Sequence, residues 1–223
     1  MVWAKRGARL GAVMLSLCCA VSLAHAQDAP SPKEAPSPKE APDVVVSVPD
    51  GASVPGMSQA QLERLEFALR GYEYFPSRAE LDKIAPAATV SEALRGFASD
   101  RDASPMIRTR AVDALGYYGD DDTVVYLRSL AFEPIADGVS KAEYRVASSM
   151  KHHAIMSFAK SAGQASLGDL SALAQPGHDT QLRLTAIHAI AKNLGAPGKA
   201  VLEELAATDD SRVIQRELRK FLR

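Results

Sequence analysis

The stretch LRLTAIHAIAKNLG, residues 182–195, decides the fold, because the chain carries a second version of it. MKHHAIMSFAKSAG, residues 150–163, lies thirty-two positions upstream and aligns without a gap. The two share Ala, Ile, Ala, Lys and Gly at the same offsets, and Leu/Met, Arg/Lys and Ile/Phe agree in character. IRTRAVDALGYYG, residues 107–119, is a third copy. Small residues recur three apart in each: Ala111 and Ala114, Ala154 and Ser157, Ala186 and Ala189. That spacing puts them on one side of a helix, where another helix can approach closely. Gly119, Gly163 and Gly195 fit helix ends, where the left-handed backbone favours glycine.

A shorter motif, Leu-x-x-Leu/Phe-Ala, follows each of these copies and also precedes the first. It occurs at Leu94, Phe97 and Ala98; at Leu127, Leu130 and Ala131; at Leu170, Leu173 and Ala174; and at Leu202, Leu205 and Ala206. The leading leucines are 33, 43 and 32 residues apart, so one interval holds about ten extra residues, near 132–144. Acidic turns stand before three of the first helices, with Asp102, Asp179 and Asp210 expected to cap them. The arginines that follow are expected to reach back toward a neighbouring turn's carboxylate. Repetition in register predicts pairs of helices that stack to bury a shared core, since no single pair can cover its own apolar faces. An ordinary helical bundle is the competing reading.

The combination of Arg-x-x-Ala-x-x-Ala-Leu-x-x-x-Gly, Asp-x-x-x-x-x-Leu-x-x-Leu-Ala and an acidic turn resembles the HEAT-like repeats, in the class named after phycobilin lyase, over roughly residues 86–223. Degenerate helices are read at 58–71 and around 78–85. The resemblance implies an all-α, armadillo-type fold: a right-handed α-solenoid of four to five antiparallel helix pairs, with the second helices lining a concave side. SRVIQRELRKFLR, residues 211–223, reads as a polar cap with Val213, Ile214, Leu218, Phe221 and Leu222 facing inward. GYEYF, residues 71–75, is expected to seal the other end.

The first 26 residues read as a secretory signal peptide. Lys5, Arg6 and Arg9 precede an apolar run over 10–24, and Ala24-His25-Ala26 is a small-x-small cleavage site. A lipid anchor through Cys18 or Cys19 is the minor alternative. Cleavage removes both cysteines and Trp3, and takes the formal charge from −1 to −4. The expected product has no disulfide, no thiol nucleophile and no membrane span. An acidic balance gives no footprint for nucleic acid. APSPKEAPSPKEAP, residues 29–42, is a proline-fixed, wet and extended spacer. Residues 27–57 form a Pro-rich disordered or extended linker, in which DVVVSVPDGASVPG (43–56) is expected to lie on the domain. Residues 58–223 are the folded domain.

No nucleophile elbow, zincin motif, phosphate loop or dinucleotide fingerprint is present. His152, His153 and His188 are read as surface or repeat-interface residues, not as metal ligands. Neither a cofactor nor a metal is expected. Tyr117 and Tyr118 stand where other copies hold Lys160-Ser161 and Lys192-Asn193, so they are read as exposed aromatics, packed on the 132–144 insertion or offered to a partner. The concave candidates are Glu92, Arg95, Tyr126, Arg128, Asp169, Lys199 and Glu203. The function expected is an exported, monomeric, non-enzymatic scaffold that binds a protein or peptide in the periplasm or outside the cell. A lyase-like enzyme on the same repeat, or a purely structural envelope part, is the alternative.

Overall fold

The computed structural model describes residues 54–71 and 73–223. The proposed signal peptide and nearly all of the linker lie outside them. Every regular element among the described residues is helical, and none of those helices is long and apolar enough to cross a membrane.

In chain order the helices are α1 (Gln59–Arg70), α2 (Arg78–Leu81), α3 (Ala87–Ser99), α4 (Pro105–Leu115), α5 (Asp121–Phe132), α6 (Lys141–Ala162), α7 (Leu167–Ala174), α8 (Thr180–Asn193), α9 (Gly195–Thr208) and α10 (Arg212–Phe221). A short 3-10 turn, Gly163–Ser166, joins α6 to α7. The repeated long motif forms α4, α6 and α8, and the Leu-x-x-Leu/Phe-Ala motif forms α3, α5, α7 and α9.

Starts are fixed by side chains. Ser58 and Gln61 close a capping box on α1, and Ser140 and Glu143 do so on α6. Asp120 caps α5 through the Thr123 amide at 2.9 Å, and Asp179 caps α8 through the Gln181 amide at 2.8 Å. Asp102 and Asp210 do not cap. Ser104 accepts at the start of α4, where Pro105 occupies the first position, and Asp209 accepts from the Ser211 amide instead of Asp210.

The packing order follows the chain. α1 touches α4, α4 packs on α6, α6 on α8, and α8 on α10. The short helices sit beside this row: α3 on α4, α5 on α6, α7 on α8, and α9 on both α8 and α10. The small residues lie in the seams. Ala111, Ala114, Ala154, Ala186 and Ala189 are fully buried, and Ser157 nearly so. At Gly116 an added Cβ would stand 3.2 Å from the Ser157 Cα, so α4 and α6 meet at backbone contact. Leu94, Leu127, Leu170, Leu202 and Leu205 are buried with them.

One hydrogen bond recurs down the chain. The second residue of the long motif crosses to the last carbonyls of the preceding short helix. Arg108 Nε donates to the Ala98 carbonyl at 3.3 Å, Lys151 Nζ to Glu133 at 2.6 Å, and Arg183 Nε to Ala174 at 2.9 Å. Gln215 Nε2 does the same to Ala206 at 2.7 Å. These groups satisfy helix-end carbonyls that have no partner inside their own helix. The expected reach toward carboxylates is thus chiefly a reach toward carbonyls. Arg183 does both, because its guanidinium also meets the buried Asp209.

Gly163 and Gly195 take positive φ, each at +53°, and break the chain between helices. Gly119 is small for another reason: a Cβ there would lie 3.1 Å from the Ser161 carbonyl oxygen. The ten extra residues are divided between the loop after α5 and the start of α6, which runs for 22 residues where α8 has 14. At the chain's end Ile214 and Leu218 are buried, but Val213 is 43% exposed, because α10 turns only one narrow side to α8 and α9. Of the 43–56 stretch, residues 54–56 are described, and Val54 packs against the core.

Candidate functional site

The insertion builds a groove of about 500 Å³. Its floor is Tyr126 and Leu130 on α5; one wall is Val146 and Ala147 on α6; the loop residues Pro134, Ile135 and Val139 form the other. Arg101, Ala103 and Pro105, in the turn before α4 and at its start, close one end. The capping box at Ser140 explains the wall. It starts α6 early, so that two further turns of helix stand beside the loop. Gly138, at φ +77°, turns the loop back toward the helix.

The polar groups of the groove are largely spent on one another. The Tyr126 hydroxyl lies 3.1 Å from Ser99 Oγ, and burial pushes its acidity down by raising its pKa. Ser129 donates to the Glu133 carboxylate at 2.6 Å. Lys151 is held on the Glu133 carbonyl, and burial lowers its pKa. Glu143 is held ionised by the Ser140 hydroxyl and amide, with help from Arg101. These pairings leave apolar surface and a mixed-sign rim, which suits binding an extended apolar segment more than proton transfer.

A second concave region lies on the long helices, with a volume of about 570 Å³. Each of its three histidines bridges a seam. His153 on α6 meets Asp113 on α4 at 2.7 Å. His152 meets Thr185 on α8 at 2.7 Å. His188 on α8 meets Glu217 on α10 at 2.8 Å and stacks edge-on against Phe221. The Asp113 hydrogen bond raises the His153 pKa, whereas burial lowers that of His152. The repeat-interface reading of these residues matches their geometry. No group of three or more His, Cys, Asp or Glu side chains among the described residues is placed to hold a metal ion.

The tyrosine pair stands elsewhere than expected. Tyr118 is only 3% exposed, donates to Asp82 Oδ1 at 3.1 Å, and has Arg78 over its ring. Burial first, then the Asp82 charge, raises its pKa. Tyr117 packs on Phe75, with Lys160 Nζ 3.6 Å from its ring centre. The ring contacts of both run to residues 75–82 and Lys160, and Tyr118 has no face to offer a partner. Both close the seam between α4 and the α1–α2 segment, where no earlier long helix of the repeat covers them. Phe75 joins them as expected of the aromatic cluster, but Tyr74 is 56% exposed and donates to Glu80, whose pKa is held down to about 2.

Most of the proposed concave charges are already paired. Arg95 reaches Asp120 at 3.1 Å and Thr123 Oγ1 at 2.8 Å, linking α3 to α5. Arg128 forks onto Asp169 at 2.7 and 3.1 Å, linking α5 to α7. Lys199 and Glu203 lie one turn apart at 3.8 Å on α9, and Glu92 is exposed on α3. Tyr126 alone of the set lines the insertion groove. The groove went unread in the sequence, although its signal was present as the 43-residue interval. Comparison with known proteins finds no family model that matches the chain and no match among curated proteins.

Proposed function

We propose that residues 58–223 form a right-handed HEAT-like α-solenoid and that the chain is a non-enzymatic scaffold, exported to the periplasm or beyond, which holds an extended segment of a partner protein. Support for the stacked arrangement comes from the helix order: each long helix packs on the next, and each short helix docks on the long helix that follows it. Support for binding comes from one observation above the rest. At the one place where the repeat spacing breaks, the extra residues build a groove with an apolar floor and a mixed-sign rim. This moves the binding surface from the paired charges of the short helices to Tyr126 and its surroundings. Pockets that bind are lined mainly by apolar and aromatic side chains with few polar groups.

A photo-crosslinking residue placed at Val139, inside the groove, tests this in the producing cell. Val125, 66% exposed on α5 and not part of the groove, is the control position. The proposal expects a discrete protein adduct from position 139 and none from 125. Equal adducts from both, or none from either, contradict it. Export is checked separately: mass spectrometry of the purified protein should give Gln27 as the first residue.

A further inference from the structure

The helix α10 carries a row of cations that no carboxylate among the described residues pairs with. Arg212, Arg216 and Arg219 stand at i, i+4 and i+7, which places them along one stripe of the helix, with Arg223 in line just past its end. All four are exposed. No carboxylate among the described residues lies within ion-pair distance of any of them, whereas Lys220 is taken by Glu217 at 2.6 Å. The other sides of α10 are engaged. Ile214 and Leu218 are buried, Gln215 caps α9, and Glu217 holds His188.

From this we infer that the outer face of α10 is a peripheral docking surface for an anionic phospholipid membrane. The stripe is exposed along its length and uniform in sign, as a planar anionic surface requires. Guanidinium groups fork onto phosphate oxygens better than ammonium groups do. A long flexible polyanion is less suited, because the helix and turn before the stripe expose Glu203, Glu204 and Asp210. Contact is electrostatic and shallow, since the helix has no free apolar face to insert; Val213, beside the stripe, adds a small wetted contact.

The test is co-sedimentation of the protein, as its producing cell processes it, with phosphatidylcholine vesicles that do or do not contain phosphatidylglycerol. Two triple variants accompany it. One is Arg212→Gln/Arg216→Gln/Arg219→Gln; the other, Arg64→Gln/Lys83→Gln/Lys141→Gln, removes the same charge from exposed cations elsewhere. Helical circular dichroism confirms that both fold. The inference expects binding to the anionic vesicles only, reduced about a hundredfold by the first variant at about fivefold per arginine, and kept by the second. Failure of the unmodified protein to sediment with anionic vesicles overturns it. So does equal loss in both variants, or binding to polyglutamate or a DNA duplex without binding to vesicles. None of these outcomes bears on the groove.

Discussion

Arg183 is 6% exposed and answers two groups at once, the Ala174 carbonyl and the Asp209 carboxylate, whose side chain is 1% exposed. Removing the arginine strands a buried carboxylate, and breaking such a pair costs about 3–5 kcal/mol. Arg183→Leu should therefore show a large loss in urea denaturation, and Arg183→Leu/Asp209→Leu should recover part of it. A single variant no worse than a surface change contradicts the role given to this residue. His153 makes a pH-dependent contribution. Asp113 raises its folded pKa above the ordinary 6.5, so the stabilisation is complete below 6.5 and disappears as pH rises through the folded value. His152 on the same helix acts in the opposite sense, because burial lowers its pKa and its protonation opposes folding as pH falls. Asp113→Asn deletes only the first effect. Thermal melts should show the gap between parent and variant widening from alkaline pH down to about 5.5, and a constant gap would count against the bridge. Tyr118 marks the limit of reading at this scale. Its neighbours in the aligned copies are polar, so periodicity placed it on the surface. Its burial depends on α2, which comes from outside the repeat.

At the scale of the helix, the glycines separate two causes of smallness. Gly116 faces the Ser157 backbone at 3.2 Å and the Asp113 carbonyl at 3.1 Å, so Gly116→Ala must push α4 off α6. Overpacking of that kind costs about 1–3 kcal/mol. Gly96 lies inside α3 with open space around it, so Gly96→Ala should instead add about 0.5–1 kcal/mol. Chemical denaturation of both variants checks the pair, and opposite signs are expected. Helix identity was legible in the chain because 3.6-residue spacing and capping residues act locally. α1 and α8 begin and end close to where their sequences place them. Which side chain serves the helix start was not legible at two of three turns, since Ser104 stands two residues from Asp102 and Asp209 one residue from Asp210. The early start of α6 is written in Ser140 and Glu143, a capping box before a helical run, whereas the repeat spacing says only that about ten residues are extra.

Across the whole molecule, cohesion comes from repetition. The same side-chain-to-carbonyl bond occurs at Arg108, Lys151, Arg183 and Gln215, and histidines bridge three successive seams. Each of these contacts joins a long helix either to the short helix before it or to the next helix of the row, and none reaches two places along the row, as the proposed solenoid requires. The all-helical class follows from patterning alone, while the groove needed the fold, because residues 101–105 meet the insertion only once the helices have packed. The most direct measurement is cysteine-pair crosslinking in solution with a short bis-maleimide, read by peptide mass spectrometry. Pairs placed at Asp113 and His153, and at His188 and Glu217, should link in high yield, and a pair at Asp113 and Glu217 should not. Efficient linking of Asp113 to Glu217 would mean that the long helices close into a bundle, and the row of stacked helices would be wrong.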